Sequence, residues 1–107
     1  LANNYKNEKA DLSTTGNTTI YTCPTATQSI LKSILISNDS GSTDTLDVTL
    51  TNTSNAVFSV FKAKSIASNT TVELLSQPLI IMESEILKAQ ATTADRLHII
   101  VSFLEVN

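Results

Sequence analysis

With 107 residues, a formal charge of −3, 16% charged residues and a single cysteine, the chain is expected to be one domain with a small core, to whose stability a partner surface would add. The acid excess and the lack of any Lys or Arg cluster exclude an electrostatic grip on nucleic acid or on an anionic membrane. No apolar run is long enough for a membrane-spanning helix, a lone Cys23 cannot close an internal disulfide, and polar positions filled by Ser, Thr and Asn point to an all-β chain.

Positions 1–12 read as a polar N-terminal arm or edge strand. Between Asn3 and Leu12 only Tyr5, Ala10 and Leu12 are apolar, too few to contribute much to a core. The remainder, 13–107, reads as a β-sandwich domain. Ser13 to Asn17 is a turn in which Gly16 is free to take positive φ, and Thr18 to Cys23 is a strand with Ile20 inward that Pro24 ends, at or near an edge. Ser29 to Ser37 is expected as a core strand with Ile30, Ile34 and Ile36 on one face and Leu31 and Leu35 on the other. A loop around Gly41 leads to Leu46 to Asn52, where Leu46, Val48 and Leu50 alternate with Asp47, Thr49 and Thr51. These two strands are expected to pair as a hairpin with an acidic loop.

After a turn at Asn52 to Asn55, Val57 to Lys62 puts Phe58 and Val60 on one side and Val57 and Phe61 on the other, with both phenylalanines expected to anchor the core. Val72 to Leu75 and Leu79 to Met82 are short strands separated by Gln77-Pro78, Glu83-Ser84-Glu85 is a tight polar turn, and Ile86 to Ala91 is the next strand. Leu97 to Val106 carries Leu97, Ile99, Val101 and Phe103 on one face and His98, Ile100, Ser102, Leu104 and Val106 on the other, the pattern of a central strand covered on both sides. Eight or so short strands at this spacing imply a single small antiparallel β-sandwich or a jelly-roll-like barrel, packed on the stretch from Thr71 to Val106.

No catalytic set emerges from the residue types and their spacing. His98 is the only histidine, lacks a Cys or second His to complete a metal-ligand set, and is expected to pack in the core or at an interface. No serine lies in a nucleophile motif such as GxSxG, and two glycines cannot build a phosphate cradle. Asp39, Asp44 and Asp47 surround the Gly41 loop with a spacing that matches no calcium loop, and read as a solvated acidic loop. Glu83 and Glu85 read as charges that keep an edge soluble. No metal, no cofactor and no enzyme activity are expected.

The opening YKNEKADLS, the strand TTIYTCP, the segment SILKSILISNDSG, NTTVELL, and PLIIMESEILKAQAT before the final LHIIVSFLEV together resemble a group of small virion structural proteins of tailed bacteriophages, over most of the chain. The resemblance implies a β-sandwich module, commonly homo-oligomeric, attached to capsids, necks or tails at the particle surface. The role it implies is a capsid decoration, or cement, protein whose partners are its own copies and the major capsid protein. A neck or tail accessory protein of the same virion is the alternative, and a receptor- or glycan-binding fibre module a further one. Sugar sites stack on exposed aromatics, for which a chain with no Trp and only Tyr5 and Tyr21 as tyrosines is poorly equipped. The similarity departs at Glu83 to Glu85, where related sequences often carry a glycine. Within this reading Tyr5, Lys6, Lys9 and Leu12 are the candidate contacts between subunits.

Overall fold

The structure, a computed structural model, describes residues 2–107; Leu1, the first position of the expected arm, lies outside the described residues. Nine strands follow in chain order: β1 (Asn3–Asp11), β2 (Thr18–Thr22), β3 (Gln28–Asn38), β4 (Asp44–Thr51), β5 (Val57–Ile66), β6 (Thr70–Glu73), β7 (Leu79–Ile81), β8 (Ile86–Ala91) and β9 (Leu97–Val106).

The chain folds back on itself once and then rolls up. The turn between β4 and β5 is the tip of one long antiparallel hairpin, in which β4 pairs with β5, β3 with β6 and β7, β2 with β8, and β1 with β9. Rolling sets β9 beside β3 and β8 beside β4, so that alternate rungs fall into opposite sheets, β1-β9-β3-β6 with β7 also on β3, and β2-β8-β4-β5. This is the strand order of a jelly roll. The last third of the chain supplies the strand that knits each sheet together, β9 in one and β8 in the other. β6 and β7 lie along successive stretches of β3, as one strand interrupted from Leu74 to Pro78, the last of which has no N–H for a ladder.

β4 and β5 are the only strands that are consecutive in sequence and also hydrogen-bonded to each other, among the described residues. The hairpin expected between the strands at Ser29 to Ser37 and Leu46 to Asn52 is therefore absent: β3 and β4 lie in different sheets, and the loop around Gly41 crosses the sandwich. Asn38 makes the crossing. Its buried Nδ2 donates to the carbonyls of Ser42 (2.9 Å) and Ile66 (3.0 Å), and its Oδ1 accepts from the Ser40 amide and hydroxyl, which turns the chain away from β3 and ties it to the end of β5.

The core fills the space between the sheets. Leu97, Ile99, Val101 and Phe103 of β9 and Leu31, Ile34 and Ile36 of β3 meet Leu46 and Val48 of β4 and Leu87, Ala89 and Ala91 of β8. Alternation places most of these, and β-bulges shift the rest. An extra residue, Lys32, separates the Leu31–Phe103 pair from the Ser33–Ser102 pair. Leu31 consequently points inward with Ile34 and Ile36 while Ile30 turns outward with Leu35, the reverse of the faces expected for Ile30 and Leu31. A second bulge, at Ile20, sends both Ile20 and Tyr21 into the core.

Phe58 does not anchor the core, and Phe61 packs only against its margin. β5 is a free edge with bulges at Val60 and beside Ala63, and Phe58 is 57% exposed while Phe61 is half-buried. The core aromatics are Phe103 and Tyr21, with ring centroids 4.2 Å apart. Neither glycine takes positive φ, so Gly16 does not play its expected part; Ser84 does, at φ 66°, in the polar turn between Glu83 and Glu85.

Replacing Phe103 with Ala is expected to lower unfolding free energy by about 3–5 kcal/mol, and Phe58→Ala by under about 1 kcal/mol. Urea midpoints of the two variants check this, and a larger loss for Phe58→Ala would place β5 against the core after all.

Candidate functional site

A two-layer sandwich covers one face of each sheet, and β9 is covered on its inner face only. Ile100 is 41% exposed, and Leu104 and Val106 are half-buried. The coverage on both sides expected for this strand is missing, and the outer face of its sheet is open.

Antiparallel register lines up the side chains of this face in rows that cross the sheet. Tyr5, Leu104, Ile30 and Ile80 form one row. Asn7, Ser102 and Ser33 form a polar row beside it. Lys9, Ile100, Leu35 and Glu73 form the next, and Asp11, His98, Ser37 and Thr71 the last. Tyr5 is 77% exposed, and the Lys32 ammonium lies 6.0 Å from its ring centroid.

The third row has a cation at one end and an anion at the other. Glu73 folds into the gap between β6 and β7, where it accepts the Ser33 hydroxyl and the amides of Ile34 (2.8 Å) and Leu75 (3.1 Å). Burial pushes its carboxyl up, but these hydrogen bonds outweigh burial and hold it below the ordinary carboxylate range. Lys9 bonds to Asn7 Oδ1 at 3.1 Å. Neither Lys9 nor Glu73 has an ion-pair partner among the described residues.

His98 stands on the open face, with Nε2 3.3 Å from Asp11 Oδ1 and Nδ1 3.8 Å from Asp39 Oδ2. Both ring nitrogens face carboxylates, so neither is directed at Ser37, its neighbour across the ladder. The three aspartates of the Gly41 loop are not one solvated cluster. Asp39 faces His98, Asp44 is buried and accepts the Thr93 amide (3.1 Å), and Asp47 accepts the Ala63 amide (2.7 Å) and pairs with Lys62 (3.4 Å). No group of three His, Cys, Asp or Glu able to hold a metal occurs among the described residues. Glu83 and Glu85 brace backbone, accepting the amides of Ala26 (2.9 Å) and Met82 (2.8 Å).

The four arm residues divide by direction. Tyr5 and Lys9 lie on the open face. Leu12 is 1% exposed and belongs to the core, with its amide donating to Leu97 O, so its side chain has no surface left for a neighbour. Lys6 points to the inner side, where its Nζ lies 2.8 Å from Glu105 Oε1. Glu105, 3% exposed, also accepts the Tyr21 hydroxyl at 2.6 Å. Burial pushes its carboxyl up, and Lys6 and Tyr21 more than reverse this. Burial and the Glu105 carboxylate push the Tyr21 phenol up, which keeps it protonated as the donor. Sequence reasoning passed over this buried acid, although the alternation Leu97, Ile99, Val101, Phe103 continues to Glu105.

A second apolar surface lies at the β5 edge. Val57 and Phe58 are exposed, and Val60 and Phe61 line a cleft of about 210 Å³ with Leu75, Pro78 and Leu79. From Val48 to Val72 the sequence has two cations, Lys62 and Lys64, and no carboxylate.

The depressed Glu105 carboxyl contributes stability that is present above its unfolded value, about pH 4, and is lost as pH falls through the folded value. Tyr21→Phe, which keeps the ring on Phe103, is expected to cost about 1–3 kcal/mol at pH 7, and Lys6→Met about 1 kcal/mol because Lys6 is half exposed. In urea titrations both deficits should shrink below about pH 4; deficits unchanged at low pH would show that Glu105 ionisation is not their source. No protein-family model matches the chain, and neither does any curated protein.

Proposed function

We propose that this protein is a non-enzymatic structural protein of a bacteriophage virion, a decoration protein that binds the assembled head as a homo-oligomer. The observation that carries this is the presence of two separate apolar surfaces on one small acidic body, the rowed outer face of β1-β9-β3-β7 and the β5 edge. A lone copy leaves both in water, whereas a module that binds copies of itself and the lattice of another protein covers both. Polar rows between the apolar ones suit a face that must stay soluble before assembly. The motifs that resemble small virion proteins point to the same class.

Other features support packing over catalysis or sugar binding. His98 has no nucleophile directed at it, and Tyr21 is buried, which leaves Tyr5 as the exposed tyrosine. If the open face is given to other copies, the β5 edge, with exposed Val57 and Phe58 and no carboxylate of its own strand, remains for the particle.

Light scattering on the purified protein is expected to give a mass above that of one chain, and the same preparation should cosediment with empty heads. Phe58→Asp should lower head occupancy about tenfold or more and leave the oligomer mass unchanged. An oligomer that ignores heads but binds necks or tails would make the protein an accessory of those parts, and a monomer with no affinity for any part of the particle would overturn the virion role.

A further inference from the structure

We infer that the open sheet face binds a second copy of itself about a two-fold axis parallel to the strands, midway between β9 and β3, with Lys9 of each copy on Glu73 of the other. This deepens the homo-oligomer part of the function proposed above and rests on it. Its basis is the row Lys9, Ile100, Leu35, Glu73, which is apolar at its centre and oppositely charged at its two ends.

An axis in that position, lying between two stacked sheets, exchanges the left and right ends of every row and keeps each row at its own height. Ile100 of one copy therefore meets Leu35 of the other, and the unpaired cation meets the unpaired anion twice per dimer. In the neighbouring apolar row the same operation sets Tyr5 opposite Ile80, and in the last row Asp11 opposite the neutral Thr71. Within these rows no like charges are opposed. An isologous contact needs such self-complementarity, and few arrangements of two charges on a sheet provide it.

The size of the face is adequate. Four columns of strand, the outermost shared by β6 and β7, span about 30 Å by 19 Å, on the order of 600 Å² per copy or about 1,200 Å² in total, the lower end of the standard interface range. Glu73 is held in place by Ser33, Ile34 and Leu75, so its carboxylate is already oriented before the second copy arrives, and little side-chain freedom is lost on pairing.

Charge exchange tests the register. K9E and E73K, each measured alone by sedimentation or light scattering, are expected to weaken self-association at least about tenfold through like-charge contacts. Mixed in equal amounts they should regain the wild-type mass, because a pair made of one K9E copy and one E73K copy has two attractive contacts. Circular dichroism checks folding. Should E73K unfold for loss of its hydrogen bonds, K9E and I100D, both at exposed positions, carry the test, and each must lower the mass. An assembly that ignores these substitutions would overturn this interface and leave the homo-oligomer standing. Single variants that dissociate without recovery on mixing would overturn the two-fold register. A wild-type monomer at all concentrations would overturn both the interface and the homo-oligomer.

Discussion

β9 carries apolar side chains on both faces, and a two-layer sandwich has an interior on only one. The inner set, Leu97, Ile99, Val101 and Phe103, is consumed by the core. The outer set, with Ile100 and Leu104 at its centre, gathers Tyr5, Leu35, Ile30 and Ile80 from the flanking strands because antiparallel register places them in the same rows. Covering each half-exposed Leu or Ile is worth about 1 kcal/mol. Such a face is a modest adhesive, and it becomes specific only where shape and charge fix one arrangement.

The arm shows how one strand serves two masters. β1 buries almost nothing apolar beyond part of Ala10, so the backbone ladder to β9 and the Lys6–Glu105 contact hold it in place. A buried carboxylate is costly unless both oxygens are satisfied, and here one takes the Lys6 ammonium and the other the Tyr21 hydroxyl. Alternation then assigns Lys6 inward to this clamp and Tyr5 and Lys9 outward to the open face. Docked in this way, β1 extends that face by a full strand, and its charges discourage indiscriminate strand addition at the edge.

The β5 edge is managed differently. Its first half is apolar and its second half carries Lys62 and Lys64, and its two bulges interrupt the regular array of backbone groups that would otherwise template another strand. The open face and this edge belong to different sheets, so both can be occupied at once.

The all-β class, the positions of nearly all strands, and the alternation in β4 and β9 were legible in the sequence, because a period of two is a local property of the chain. The inward direction of Leu12 and Lys6 was not legible, since it depends on Leu97 and Glu105 at the far end of the chain. The faces of Ile30 and Leu31 were inverted by one inserted residue, Lys32, which is recognisable only against the β9 ladder. Phe58 looked like a core residue because composition does not distinguish a central strand from an edge. The sequence by itself determined which segments are strands and, where no bulge intervenes, as in β9, which side chains share a face. Only the tertiary structure decided which strands pair, which of the two apolar faces of β9 is covered, and where Lys9 and Glu73 end up. Those outcomes depend on how the long hairpin rolls, which is set by contacts between residues remote in sequence.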